Sequence, residues 1–183
     1  MKRKSVYKYA AEAGVPVGLY LTLMSACLLF SVKIDFTLTL LLPLVVLFPF
    51  YLGYFMRRIG KLEPGFMKFS SLWLSGIYSV IFGTLICMLF SGLYIVFVEP
   101  GFVGAYFSKM IEAVEMSPMA ESYESSVEIM RNAMESRMLP SGMDFVTTMG
   151  WFTCFSGSIV SLILAFILAR TGRKVADVVG QQS

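Results

Sequence analysis

Glu12 is the one ionisable side chain clearly inside an apolar stretch of this 183-residue chain. It lies in the segment AAEAGVPVG (10–18), near the start of a run long enough to cross a membrane. An ionisable group within a membrane span is a functional candidate, for instance as a proton-coupling carboxylate. Pairing with Lys8, four residues earlier and near the membrane surface, is the structural alternative. The sequence favours this structural role for Glu12 and leaves the functional one open.

Other side chains that carry catalysis or bind metals are scarce. The chain has no histidine, which removes the commonest general base and the commonest metal ligand. Its cysteines fall inside apolar runs without metal or disulfide spacing, at Cys27, Cys87 and Cys154. Methionines concentrate in the segment 99–145 and can hold Cu(I), but their helical spacing favours apolar contacts instead. We therefore expect no catalytic residues, no metal, no cofactor and no enzymatic activity.

Composition places the chain among membrane proteins. Hydrophobic residues make up 57% and charged residues 15%, which is more apolar than a water-soluble domain of this size can bury. A hydrocarbon core of about 30 Å needs about 20 helical residues. Four apolar runs are long enough, at about 9–31, 36–56, 70–98 and 146–169. The predicted fold class is all-α: a single-domain polytopic membrane protein with a four-transmembrane-helix bundle.

Lysine and arginine predict the orientation of the four spans. Eleven of the fifteen fall before span one, between spans two and three, or after span four. The positive-inside rule then places both termini in the cytoplasm, and we expect a bacterial cytoplasmic (inner) membrane. The net charge of +3 is accounted for by this topology, so no nucleic-acid partner is expected. A signal cleaved at MSAC (24–27) is disfavoured, because the apolar run continues through Phe30.

The segment 99–145 is the only sizeable polar region and is predicted to be an extracytoplasmic helical loop. Two amphipathic helices are expected in it, at about 103–115 and 120–138. Pro118 separates them. We expect these helices to cap the bundle or to lie on the membrane surface. Docking of another extracytoplasmic protein is the alternative.

Rows of small residues spaced by four mark three of the spans. Such rows let helix backbones approach closely, which matters because hydrophobicity drives no association within lipid. We therefore expect spans one, three and four to pack through them, and these are the predicted helix-packing residues: Gly14, Gly18, Ser75, Ser79, Gly83, Gly157, Ser161 and Ala165.

Span two has no such row. Pro43 and Pro49 should distort it, and their neighbours are leucine, valine and phenylalanine. Transporters use broken helices at binding sites, but beside polar groups. The prolines are therefore interpreted as structural.

Four segments carry a resemblance that covers nearly the whole chain: AGVPVGLYLTL (13–23), RRIGKLEPGFMKF (57–69), YIVFVEPGF (94–102) and GSIVSLILAFILARTGRK (157–174). The chain resembles a family of small four-span bacterial integral membrane proteins known only as a domain of unknown function. The resemblance implies the four-span architecture and brings no catalytic or binding residues.

Two functional hypotheses follow. The first is a non-enzymatic protein that acts through interaction, in assembly or envelope maintenance, with membrane lipids and another membrane or extracytoplasmic protein or a second copy as partners. The second is a small transporter, or a subunit of one, that uses Glu12 and the proline-containing second span.

Overall fold

The protein is all-α. A computed structural model describes residues 6–34, 36–62, 68–117, 120–136 and 138–180. These ranges contain no strand and form six helices: α1 (Val6–Phe30), α2 (Phe36–Leu62), α3 (Phe69–Phe97), α4 (Phe102–Glu115), α5 (Ala120–Glu135) and α6 (Gly142–Gly180). Four of them, α1, α2, α3 and α6, are long and apolar enough to cross a membrane. The predicted fold class is confirmed.

Helices α1 and α3 begin slightly earlier than predicted and end one residue short. Helix α2 extends past the end of its predicted apolar run, and α6 extends past both ends, because helical hydrogen bonding continues into polar flanks. The start of α6 shows the cause. Ser141 accepts a hydrogen bond from the Asp144 backbone N–H at 3.2 Å, and Asp144 accepts one from the Ser141 N–H at 3.2 Å. This reciprocal capping starts α6 at Gly142, ahead of its apolar part. In the polar segment, α5 ends at Glu135, short of the predicted Met138.

Some predictions concern positions outside the described residues. They are the basic residues 2–4, Asp35, the connector 63–67, the break at Pro118, Met119, Arg137 and the side chains of Arg173 and Lys174.

Helix α3 lies at the centre of the bundle and makes its most extensive contacts with α1 and α6. The residue contacts show that α1 and α3 run parallel, and that α3 and α6 run antiparallel. Helix α2 packs mainly on α1. We call the end that carries α4 and α5 the capped end. The opposite end, where Lys8, Arg57 and Arg170 lie, is the basic end.

Two apolar cores stabilise this arrangement. The larger one joins all four long helices from the basic end to mid-bundle, around Val17, Leu52, Met56 and Ala165. The smaller one closes the capped end, where Phe102 of α4 is fully buried and contacts Phe145 of α6 at a ring-centroid distance of 5.8 Å. Helix α4 is therefore part of the fold and not a loose appendage.

Candidate functional site

Glycines bring α1 and α3 into backbone contact. A Cβ added at Gly14 would lie 2.6 Å from the Phe82 Cβ, and one added at Gly18 would lie 3.1 Å from the Gly83 Cα. A Cβ at Gly83 would in turn lie 3.0 Å from the Gly18 backbone nitrogen. No larger residue fits these positions without moving one helix. We call this contact the α1–α3 seam.

Two buried serines continue the seam towards the basic end. The Ser79 hydroxyl lies 2.8 Å from the Ser75 carbonyl oxygen of its own helix and 3.1 Å from the Ala10 carbonyl oxygen of α1. Ser75 donates to the Leu72 carbonyl oxygen at 2.7 Å. Both hydroxyls therefore have backbone acceptors, which suits a helix-packing contact inside an apolar bundle.

The predicted α6 residues meet a different face of α3. Gly157 lies against Val80, where an added Cβ would be 2.6 Å from Cγ1, and Ser161 lies against Gly76 at 2.8 Å from an added Cβ. Ala165 is fully buried. Gly76 was not among the predicted residues, because α3 was assigned a single small row. A second row of α3 residues spaced by four, one position after the predicted row, could have indicated this face: Gly76, Val80, Thr84, Met88 and Gly92.

Glu12 lies on the exposed side of α1, next to the buried Ala13 and Gly14. It is near the basic end, as is Lys8, whose side chain is also exposed. The structure therefore places this carboxylate beside the α1–α3 seam rather than within it. A functional role for Glu12 stays a prediction.

A cavity of about 490 Å³ lies between the four long helices, towards the capped end. Its walls come from residues 21–29 of α1, 41–49 of α2, 84–95 of α3 and 145–160 of α6. We call it the α2 cavity, because the first half of α2 forms one of its walls. That half has no buried residue but is tied to α1 by the Tyr20 hydroxyl, which donates to the Leu44 carbonyl oxygen at 2.7 Å. A volume of this size falls in the range of small-molecule sites, about 300–1,000 Å³. Glu12 does not line it.

The walls of the α2 cavity are apolar apart from a few hydroxyls and one thiol. Ser25 and Ser91 are hydrogen-bonded at 2.7 Å, and the Ser91 hydroxyl donates to the Cys87 carbonyl oxygen at 2.8 Å. Thr153 donates to the Met149 carbonyl oxygen at 2.8 Å. Thr84 is only 2% exposed, and its hydroxyl has no hydrogen-bond partner. Among the residues that the structure describes, none with a charge at neutral pH lines the cavity.

Polar contacts tie α4 and the turn after α1 to the capped end. Lys109 donates to the carbonyl oxygens of Ser31 at 2.8 Å and Val32 at 3.3 Å, where α1 has ended and its carbonyls need partners. Lys33 contacts Glu99 at 3.1 Å, and this hydrogen bond raises the pKa of Lys33 above its ordinary value. These contacts hold the cap over the cavity end.

Helix α5 lies on α4 and presents carboxylates outwards. Its partly covered side carries Val127, Met130 and Met134. Its Arg131 pairs with Glu115 of α4 at 2.6 Å. We call the exposed side the acidic face, formed by Glu124, Glu128 and Glu135. Arg131 lies in the same row, and its charge is taken up by the pair with Glu115. Within the described ranges, no group of histidine, cysteine or acidic residues is arranged to hold a metal ion.

The fold and these surfaces define an all-α protein with four membrane-length helices, a helical cap and an apolar cavity. The chain belongs to the family described as "Protein of unknown function (DUF4199)", whose model matches residues 13–170. The match covers α2, α3, α4 and α5 completely, together with most of α1 and α6. No curated protein and no solved structure matches the chain.

Proposed function

We propose that the protein is a non-enzymatic, multi-pass protein of a bacterial cytoplasmic membrane that acts by binding another protein at its capped end. One observation carries the proposal: α5 packs on α4 and leaves its acidic face exposed. Assembly or maintenance of the cell envelope is the role that fits such a surface.

The chemistry of the acidic face defines the partner. Glu124 and Glu128 lie four residues apart, where like charges on a helix repel each other. Ile129, which is 69% exposed, adds an apolar side chain to the exposed surface of the same helix, on the flank of the two glutamates. A basic protein surface would relieve the repulsion and cover the isoleucine. Anionic lipid headgroups would increase the repulsion, so the acidic face favours a protein partner over the membrane surface.

The orientation belongs to the same proposal. Positive charge at the basic end supports a cytoplasmic location for it, with the cap on the other side. Reporter fusions after Met116 and at Ser183 should therefore report opposite compartments. If both report the same compartment, the topology and the extracytoplasmic partner are both wrong.

Crosslinking from the acidic face tests the interaction. A photo-reactive residue at position 129 should give an adduct with a second protein in cells, and the adduct should weaken with salt because the contact is electrostatic. The triple variant Glu124→Lys, Glu128→Lys, Glu135→Lys should lose it, and the corresponding glutamine variant should fall between. A photo-reactive residue at the exposed Phe155 on α6 is the matched control and should not give this adduct. Adducts with the protein itself alone, or none, would contradict the proposal.

Transport is the second candidate, and the α2 cavity between the four long helices supports it. The uncharged walls of that cavity favour an apolar cargo over an ion. If Glu12→Gln and Pro43→Ala both leave cellular phenotype and transport unchanged, this candidate fails.

A further inference from the structure

We propose that the α2 cavity binds one acyl chain of a membrane phospholipid, held between the first half of α2 and the α1–α3–α6 core. This site is independent of the acidic face and of the protein partner proposed for it.

The cavity opens sideways, between α2 and α6. Its most exposed wall residues lie on these two helices: Val45 on α2, and Phe152 and Met149 on α6. Its wall residues on α3 are covered, among them Ile95. The opening is therefore continuous with the apolar side chains that face the surrounding lipid. The molecules at this opening in a membrane are lipids, and their chains are the apolar groups present at highest concentration.

Both ends of the cavity are closed along the bundle axis. Leu29 and Phe145 close it at the capped end, where they pack with Phe102 of α4. Leu21 and Phe48 close it towards the middle of the bundle. A ligand therefore has to enter from the side, at the depth of the hydrocarbon, and a water-soluble molecule has no route to this position.

Few polar groups in the walls are available to hydrogen-bond a ligand. The hydroxyls of Ser25, Ser91 and Thr153 already have protein partners. Thr84 is the exception, and its hydroxyl oxygen is covered by the protein itself. A polar ligand would lose hydrogen bonds to water or headgroups and find few replacements here. A hydrocarbon chain loses none, so the lining selects an apolar chain.

A crosslinking experiment locates the chain without any substitution. The protein is reconstituted in nanodiscs of palmitoyl phosphatidylethanolamine that contain a small share of the same lipid with a diazirine at mid-chain. Lipid outside the cavity reaches exposed side chains such as Phe155 and Ile159. Only a chain inside the cavity reaches Cys87 and Ser91 on α3. Adducts on these α3 residues are expected, and adducts confined to the exposed residues would overturn the proposal.

Native mass spectrometry then measures occupancy in a matched pair of variants. Thr153→Phe fills the cavity from α6, whereas Thr148→Phe adds the same ring on an exposed position of the same helix that does not line it. After extraction from the nanodiscs, the wild type and Thr148→Phe should each retain one lipid. Thr153→Phe should reduce retention at least about tenfold, the equivalent of 1.4 kcal/mol. Equal retention by the two variants would contradict the site.

Two other occupants would be recognised in the same experiments. Lipid-free dimers that become monomers with Thr153→Phe would assign the cavity to a second copy and overturn the proposal. In protein extracted from native membranes, a retained isoprenoid lipid in place of acyl lipids would overturn the assignment to an acyl chain.

Discussion

Both halves of α2 are rich in apolar side chains, but they lie in different environments, and only the second half also carries glycines, tyrosines and three basic residues. In the second half, Phe48, Leu52, Met56 and Ile59 are buried at spacings of four, four and three. In the first half, none of the residues Phe36–Leu47 is buried, although all of them except two threonines are apolar. The difference shows that apolar side chains do not by themselves hold a membrane helix in a bundle, because lipid is as apolar as the neighbouring helix. What holds a membrane helix in the bundle is the steric fit between its side chains and those of the neighbouring helices. Where the first half of α2 fits poorly, the α2 cavity remains.

Whereas the first half of α2 is the loosest contact in this comparison, the α1–α3 seam is the most tightly packed. There, glycines let two helices touch at their backbones, and no side chain is needed to fill the space. In the second half of α2, Gly53 allows a close but less tight contact with α6, since an added Cβ would lie 3.4 Å from Leu164. The first half of α2 has no small residue apart from Thr37 and Thr39.

The largest expected change in the free energy of unfolding comes from a substitution that distinguishes the two halves of α2. Leu52→Ala removes a fully buried side chain and should lower the free energy of unfolding by about 2–4 kcal/mol, because a cavity remains. Leu42→Ala, at a position that is 69% exposed, should change it by less than about 0.5 kcal/mol. Unfolding midpoints in mixed detergent measure both. Equal effects would mean that both halves are packed alike.

The next effect tests the seam. Gly14→Ala should destabilise by about 1–3 kcal/mol, because the new Cβ meets the Cβ of Phe82 and the helices have to separate. Gly104→Ala in α4 is the control, since an added Cβ meets nothing within 4 Å there. Its higher helix propensity should stabilise by up to about 1 kcal/mol. Destabilisation of the same size in both variants would argue against close backbone contact in the seam.

A smaller effect and its rescue test the contact between α3 and α6. Gly157→Ala should destabilise by about 1–2 kcal/mol, because the Val80 side chain occupies the space of the new Cβ. Val80→Ala removes that side chain, so the double variant should recover part of the loss. Strictly additive effects would show that the two residues are not in contact.

The smallest effect concerns the hydrogen bond beside the α2 cavity. Ser25→Ala removes the bond to Ser91 on α3 and should destabilise by about 0.6 kcal/mol, the average for such bonds between membrane helices. Ser158→Ala removes only a bond to Cys154 of its own helix and should have a smaller effect. A larger loss for Ser158→Ala would contradict a bridging role for Ser25.

Sequence patterns predicted the four spans, both cap helices and the small rows of α1 and α3. They did not predict the second face of α3, with Gly76 and Gly92. A helix that contacts lipid on one side and protein on two others is apolar all round, so it has no amphipathic pattern to show which face meets which neighbour. Gly150 of α6, which faces Met88, was missed for the same reason, since it lies outside the row through Gly157.

The α2 cavity was beyond prediction because it arises where two helices fail to fit. Leu41 and Val45 in its wall are ordinary span residues, and Pro49 was interpreted as a source of distortion only. The structure shows α2 as a continuous helix through Pro43 and Pro49. The cap was easier to predict, because its polar residues break the apolar background and make amphipathic spacing visible.

Oxygen accessibility along α2 tests the central claim most directly. A nitroxide label is placed at each position from 37 to 59 in a variant without the native cysteines, reconstituted in lipid, and its relaxation by dissolved oxygen is measured. We predict the lowest accessibility at 48, 52, 56 and 59, which are buried, and intermediate accessibility at 37 and 41, which continue the same helix face and are only partly covered. Protection at 37 and 41 as strong as at 48, 52 and 56 would contradict a loosely packed first half of α2, and with it the α2 cavity.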